Sequence, residues 1–493
     1  MADSYERLLE VVRRIGYLDD AAGHLRWDQE VMMPEGGTPA RSKQLAALSR
    51  TRHELLGGEE VANRLSAITE ADLDPDETAV FREVKRRHKR ASRVPDALAE
   101  RLAAATSDAI PVWEDAKAAG EFASFEDMLA ELVELRREYA AAIDPDRDPY
   151  TVLFEEYEPY LELETAERVL SELRDGLVEL IDGIADSDVV LADPFTGAYS
   201  NSAQRAVCEA ALDAVGYDRT HGRLDVAPHP FSSGTPYDAR VTTRFTPTDP
   251  LDALLSTIHE FGHARYTLGL PREHYGTPLG SARNMVIHES QSRLWENHIG
   301  RTEAFFEHFT PVLADRLGTV ADPAIYYEAA NRVDPDNVIR VEADELTYHL
   351  HIVLRFEIER DLIRGDLDVS EVPGVWNEKM EQYLGVRPAD DGEGCLQDIH
   401  WAHGDFGYFP TYSLGSALSA QLDSAVRSEL AVDSLVRRGQ FEPLVDWLRE
   451  RIHRHGQRFT TPELIERATG EPLRAEPFLE YAEAKYGELY QLD

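Results

Sequence analysis

His259-Glu260-Phe261-Gly262-His263 sets two imidazoles four residues apart, with a carboxylate beside the first. On a helix that spacing leaves them about 40° apart round the axis and one turn along it, so both can reach one metal ion. Glu260 projects next to them, where it can take a proton from a water that the metal activates. The chemistry this suits is metal-assisted hydrolysis. Flanking residues specify the helix: Asp249 is a natural N-cap, Pro250 fits the first helical position, and Gly269 and Pro271 end it. Between them Leu251, Leu254, Leu255 and Ile258 form an apolar stripe. The bland alternative is two histidines and a glutamate satisfied by neighbouring carboxylates.

A catalytic zinc site needs a third protein ligand and one open position. A third histidine in the extended pattern would require Gly at 266 and His at 269, where the chain has Tyr266 and Gly269. A carboxylate is expected instead. The second helical stretch, Asn284 to His298, carries Glu289 and Glu296 seven residues apart and so on one face. Spacing leaves both open as the ligand, the other orienting a ligand histidine from behind. His288 is equally well read as a satisfied polar residue.

The elements that must position these groups are mainly helical. Residues 78–141 are rich in Ala, Glu and Arg, with apolar residues three and four apart, up to the stop at Asp144-Pro145-Asp146. Residues 164–184 and 202–215 read as further amphipathic helices, and 415–489 as helices punctuated by Gly439, Pro443, Pro462 and Pro477. The exception is 222–245, where alternation on either side of Ser232-Ser-Gly-Thr-Pro236 predicts two strands and a turn. No repeat, low-complexity linker or composition shift divides the chain, so residues 1–493 are expected to form a single catalytic domain of mainly α class with a small sheet.

Charge narrows the function classes. With 51 Lys+Arg against 92 Asp+Glu, 51 − 92 gives a net charge of −41, about one uncompensated negative charge per twelve residues. Such a surface repels phosphate backbones and anionic lipid, which argues against nucleic-acid and membrane roles. Six of the cations are Lys and 45 are Arg, and the carboxylates run along the whole chain, as suits a protein soluble in concentrated salt. An ordinary acidic cytosolic protein from a GC-rich genome is the alternative. Two cysteines, Cys208 and Cys395, make no disulfide framework, and no apolar run reaches 18 residues. The N-terminus enters a charged helical pattern without the apolar stretch of a signal peptide, so a cytoplasmic location is expected.

Six ordered motifs then make a specific match: His229-Pro-Phe231; Asp238-Ala-Arg240-Val-Thr242; His259-Glu-Phe-Gly-His263; His288-Glu289-Ser-Gln291; Ile339-Arg340-Val-Glu-Ala-Asp344; and Gly394-Cys-Leu-Gln397-Asp398-Ile-His400-Trp401. With these, and with Leu25-Arg-Trp27-Asp28-Gln29 to Pro34, the chain resembles the carboxypeptidase Taq family of metallocarboxypeptidases, related in fold to neurolysin and angiotensin-converting enzyme. The resemblance implies a large helical neurolysin-like fold with a deep groove roofed by N-terminal helices and a small sheet beside the metal helix. It implies His259, His263 and Glu289 as metal ligands and Glu260 as general base. It also implies a homodimer that releases single C-terminal residues from peptides, with broad preference and poor tolerance of proline. Zinc suits two histidines and a glutamate, and cobalt or manganese would also bind.

Two further needs point to candidates. The oxyanion of the tetrahedral intermediate needs donors, for which His400 and Tyr412, with Tyr408 behind them, are at hand in the sixth motif and the loop after it. Aromatic packing of a bent loop would equally account for the tyrosines. A free substrate carboxylate suits an Arg fork, so Arg340 and Arg240 are the candidates, unless they pair with local acids such as Asp344 or Asp238. The competing functions are an endopeptidase or dipeptidyl-carboxypeptidase of the same fold group, and a non-catalytic helical protein with a structural zinc. The last conflicts with Glu260, because a closed four-ligand site needs no adjacent base.

Overall fold

A computed structural model describes residues 2–492. Helices dominate, as the periodicity predicts. The block at 78–141 is three helices, Pro75–Arg93, Asp96–Ala119 and Glu126–Ile143. The first is fixed at its start by a reciprocal cap: Asp74 Oδ1 accepts from the amides of Asp76 and Glu77, and Glu77 Oε2 accepts from the Asp74 amide. Gly120, at φ 68°, ends the second in a left-handed turn that favours glycine.

The apolar residues sort into two clusters. A small one joins Leu8, Val12 and Ile15 of the first helix (Ala2–Val31) to Val61, Val80, Phe81 and Val84. The large one fills the rest of the molecule, where helices Leu163–Ala185, Thr347–Arg364, Pro410–Glu429 and Glu476–Tyr490 pack on one another. The first helix reaches the sheet through Trp27, whose ring lies under the guanidinium of Arg240 at 4.3 Å, and through His24 at 3.5 Å from Asp238.

The sheet corrects the sequence reading. It has three strands, β1 (Leu224–Val226), β2 (Ser232–Thr235) and β3 (Asp238–Thr243), in the order β1-β3-β2, with β1 parallel and β2 antiparallel to β3. The segment read as the turn is therefore largely a strand. Its residues are polar because an edge strand gains from backbone pairing, with Ser233 opposite Arg240, and needs no buried apolar face. The turn itself is confined to Pro236-Tyr237. Thr242 Oγ1 ties the preceding loop to β3, accepting from the Phe231 amide and donating to the Phe231 carbonyl. Buried Ala239 and Val241 of β3 back onto the helix that carries the paired histidines.

Candidate metal centre

That helix runs Pro250–Gly269, and Asp249 caps it by accepting from the amides of Leu251 and Asp252. A second helix, Met285–Arg293, starts from the cap of Asn284 and presses against it. Gly262 permits the approach: a Cβ there would meet Gln291 O and Ser292 Cα at 2.6 Å. A third helix, Pro410–Glu429, closes the site from the other side through Gly415, where a Cβ would fall 2.5 Å from Glu289 Cβ. Two glycines thus set how near three helices come around Glu289.

The donor atoms converge. One ligand atom each from His259, His263 and Glu289 lies within 4.8 Å of the others. Glu289 Oε2 is 3.3 Å from His263 Nε2 and 3.8 Å from His259 Nε2. Tetrahedral ligands at about 2.0–2.2 Å from zinc stand about 3.3–3.6 Å apart, so this donor set fits a divalent ion with little adjustment. Both histidines turn their other nitrogen to a partner. His259 Nδ1 is 2.8 Å from Glu296 Oε2, and His263 Nδ1 is 2.7 Å from His288 Nδ1. With a metal bound, Nδ1 of each would donate to its partner and leave Nε2 free to ligate.

Glu289 and Glu296 are separated in space by backbone geometry. After Arg293 the helix widens into a π-helical segment, Leu294–Gly300, with Arg301 N bonding Glu296 O. Arg293 donates to both carboxylates, at 2.8 Å to Glu289 Oε1 and 3.3 Å to Glu296 Oε2, and Arg301 holds the far oxygen of Glu296 at 2.9 Å. Burial alone would raise the Glu289 carboxyl, but Arg293 and the two imidazoles hold it well below the usual range. Glu260, 5% exposed, differs: burial dominates and raises its carboxyl, and its Oε2 has no partner. A carboxylate kept basic and unpaired beside the donor cluster is what a general base requires.

The remaining candidates fall into two places. His400, Tyr408 and Tyr412 gather at the start of helix Pro410–Glu429, where Tyr412 lies three residues from Gly415 and so on its face. His400 Nε2 is 3.4 Å from the Tyr412 hydroxyl, and the Tyr408 and Tyr412 rings stand edge to face at 5.2 Å. Burial, then the charge of Glu289, pushes the Tyr408 phenol up to about 12, and burial, then the neighbouring phenols of Tyr408 and Tyr348, raises Tyr412 well above its ordinary value. Burial holds His400 down at about 4, so it is neutral at physiological pH.

Arg340 is 7% exposed and gives Nε and Nη2 to Asp398 Oδ1, at 3.0 and 2.6 Å, while Arg355 takes Asp398 Oδ2. Asp344, the nearby acid offered as its alternative partner, instead caps the amides of Leu346 and Thr347. Arg240 is gripped by Asp238 through Nε and Nη2 and stacked on Trp27. Sequence reasoning missed Arg293, Arg301, Asp398 and Tyr348, whose hydroxyl accepts from Arg340 Nη1 at 3.3 Å and whose ring lies under Arg293 at 4.8 Å. Arg293 was within reach, standing four residues from Glu289 and three from Glu296.

The sequence matches the family described as Carboxypeptidase Taq (M32) metallopeptidase over residues 7–486. The chain belongs to this family. It is 39% identical to thermostable carboxypeptidase 1 of Thermus thermophilus, covering 99% of both chains, and 33% identical to carboxypeptidase 1 of Bacillus subtilis with the same coverage. Among solved structures, Trypanosoma cruzi metallocarboxypeptidase 1 superposes with a TM-score of 0.95 at 35% identity, over 99% of this chain and 100% of that one. The M32 carboxypeptidase of Deinococcus radiodurans does so at 0.95 and 34%, with the same coverage. The chain is accordingly a metal-dependent carboxypeptidase of mainly α fold. No helix among its described residues is long and apolar enough to cross a membrane.

Proposed function

We propose that this enzyme releases single residues from the C-termini of peptides, with broad side-chain preference, using zinc held by His259 Nε2, His263 Nε2 and Glu289 Oε2. The observation that carries the reading is the cluster of three donor atoms within 4.8 Å beside a buried Glu260 whose Oε2 is unpartnered. A divalent ion in that cluster supplies Lewis acidity, which lowers the pKa of a water and polarises the scissile carbonyl. Glu260 takes the proton of the attacking water and passes it to the departing amine. Tyr412 and His400 donate to the developing oxyanion, the phenol because its raised pKa keeps it protonated and the imidazole because it is neutral. Tyr408 braces Tyr412. Arg240 and Arg340 supply positive charge for the substrate's terminal carboxylate. Glu296 and His288 orient the two ligand histidines. Cobalt or manganese suits the same donors. By resemblance to its family the enzyme is a cytoplasmic homodimer, and its distributed acidity suits high salt.

Mass-spectrometric product mapping on a mixed peptide pool, with metal content measured on the same sample, tests this. Ladders missing one C-terminal residue at a time are expected, with about one metal per chain. Internal cuts, or release of dipeptides, would replace the reading with the endopeptidase or dipeptidyl-carboxypeptidase alternative. Activity lost on chelation only together with unfolding would indicate a structural zinc.

A further inference from the structure

The face of the metal helix turned away from the metal centre carries Arg265, which follows His263 by two residues and so lies about 200° round the axis from it. There a cavity of about 580 Å³ opens between this helix, the turn at Arg272–His274 and the C-terminal end of helix Glu442–Arg451. Its volume lies within the ~300–1,000 Å³ usual for small-molecule sites. Its walls hold five guanidinium groups and only two carboxylates, Asp76 and Glu273.

Two of the five are accounted for: Arg458 pairs with Asp76 at 2.8 Å and Arg454 with Glu450. The other three are not. Arg272 gives Nε to the Pro236 carbonyl at 2.9 Å and lies over the Tyr237 ring at 5.1 Å, but has no carboxylate in ion-pair range among the described residues. Arg265 and Arg449 make no hydrogen bond and no ion pair within 4 Å among the described residues. Asp446, Asp218 and Arg449 are the charged groups that bear on Arg265, neither aspartate within ion-pair range. In a chain with 92 acidic residues and 51 Lys and Arg, three arginines from three separate elements facing one cavity, none of them in an ion pair and with only Glu273 left beside them, form an inverted patch. The helix dipole accounts for Arg449 in the last turn of its helix, but not for Arg265 set against it.

We propose that this cavity is a binding site for a multiply charged oxyanion of the phosphate class, held by Arg265, Arg272 and Arg449. Guanidinium forks match tetrahedral oxyanions in geometry, and three converging positive charges call for more than a single negative one. The occupant cancels the repulsion between Arg265 and Arg449 and ties the metal helix to the C-terminal segment. His453, next to this wall, carries that segment on to the glutamate helix, its Nε2 lying 2.9 Å from Gln291 Oε1.

The test uses the metal-loaded full-length enzyme at constant ionic strength in KCl, with metal content checked after each titration. Inorganic phosphate and AMP, as a phosphomonoester, are titrated against melting temperature, with acetate as the singly charged control. A saturable rise with phosphate or AMP and none with acetate is expected. Phosphate alone would identify the free ion as the occupant; AMP binding as tightly or tighter would identify a phosphomonoester. Arg449→Ala removes an exposed side chain, and Arg265→Gln keeps most of the length of a half-buried one. Each should raise the half-saturating concentration at least tenfold, and Arg449→Ala should leave peptide turnover in phosphate-free buffer unchanged. An unsaturable response, or wild-type responses in both variants, would overturn the proposal. So would an Arg449→Ala protein that shifts the dimer–monomer balance without any phosphate response, since the patch would then seat a second copy of the chain.

Discussion

His259 Nδ1 lies 2.8 Å from Glu296 Oε2, while His259 Nε2 faces Glu289 Oε2 at 3.8 Å, so one imidazole bridges two glutamates that sit in different layers of the site. The two should respond differently to substitution. Glu289→Gln replaces an anionic donor of the cluster by a neutral amide and should abolish tight metal binding. Glu296→Gln leaves the donors in place and should weaken affinity by about 10–100-fold, the usual scale for an outer partner. Competition against a chelator of known affinity measures both. Equal losses would mean that the glutamates share one role.

Glu260 has no partner at Oε2. Glu260→Gln should therefore keep the metal and the fold while lowering kcat by at least ~10²-fold. Retained turnover in a metal-replete sample would remove Glu260 from the mechanism.

What was legible in the sequence was what local chemistry dictates. Asp249, Pro250 and Gly269 mark the ends of the metal helix because caps and breakers act within a turn of themselves. Spacing alone did not distinguish Glu289 from Glu296, though the family resemblance pointed to Glu289, because seven-residue spacing assumes a uniform helix and the backbone widens at Leu294. The partner of Arg340 was equally hidden. Asp344 is four residues away, yet the guanidinium turns to Asp398, which comes near only when the chain folds back. Strand β2 escaped for the same reason: Ser-Ser-Gly-Thr has the composition of a turn, and only its pairing with β3 makes it a strand.

Glu359 gives a pH prediction. It is fully buried, accepting from the Tyr150 hydroxyl, the Gly407 amide and Trp401 Nε1, and burial pushes its carboxyl up from 4.5 to about 8. The folded state thus binds a proton that the unfolded chain has released above pH 4.5. The contribution is full below that pH and is lost as pH rises through about 8. Glu359→Gln, which cannot ionise, should flatten the decline in melting temperature across this window. An unchanged slope in the variant would place the titration elsewhere.

Salt acts on the whole surface. With a net charge of −41, self-repulsion weakens as the Debye length shrinks from about 10 Å at 0.1 M to 3 Å at 1 M. The melting temperature should climb steadily from dilute buffer to molar KCl. A flat or falling curve would return the chain to the ordinary acidic proteins.

Recognition of the substrate's end is what separates a carboxypeptidase from other metal peptidases, and the two candidate arginines are not equivalent tests of it. A guanidinium contact to a free carboxylate is worth about 1.5–3 kcal/mol. Amidating the peptide should therefore cut kcat/KM by roughly ten- to a few hundred-fold. Arg340→Ala confounds this measurement. Its side chain and that of Asp398 are 9% and 10% exposed, and breaking a buried pair typically costs ~3–5 kcal/mol, so the fold suffers along with the chemistry. Arg355 would keep Asp398 partly compensated, at 2.6 Å, but the melting temperature should still fall. Arg240, with 23% of its side chain exposed and paired to a partly exposed Asp238, can be removed at far lower cost. Arg240→Ala should thus compress the ratio of free-acid to amide turnover while leaving the melting temperature within a few degrees of wild type. If the ratio survives in that variant and collapses only in Arg340→Ala, the carboxylate is read at Arg340. If the wild type cuts amidated and free peptides equally well, neither arginine reads it.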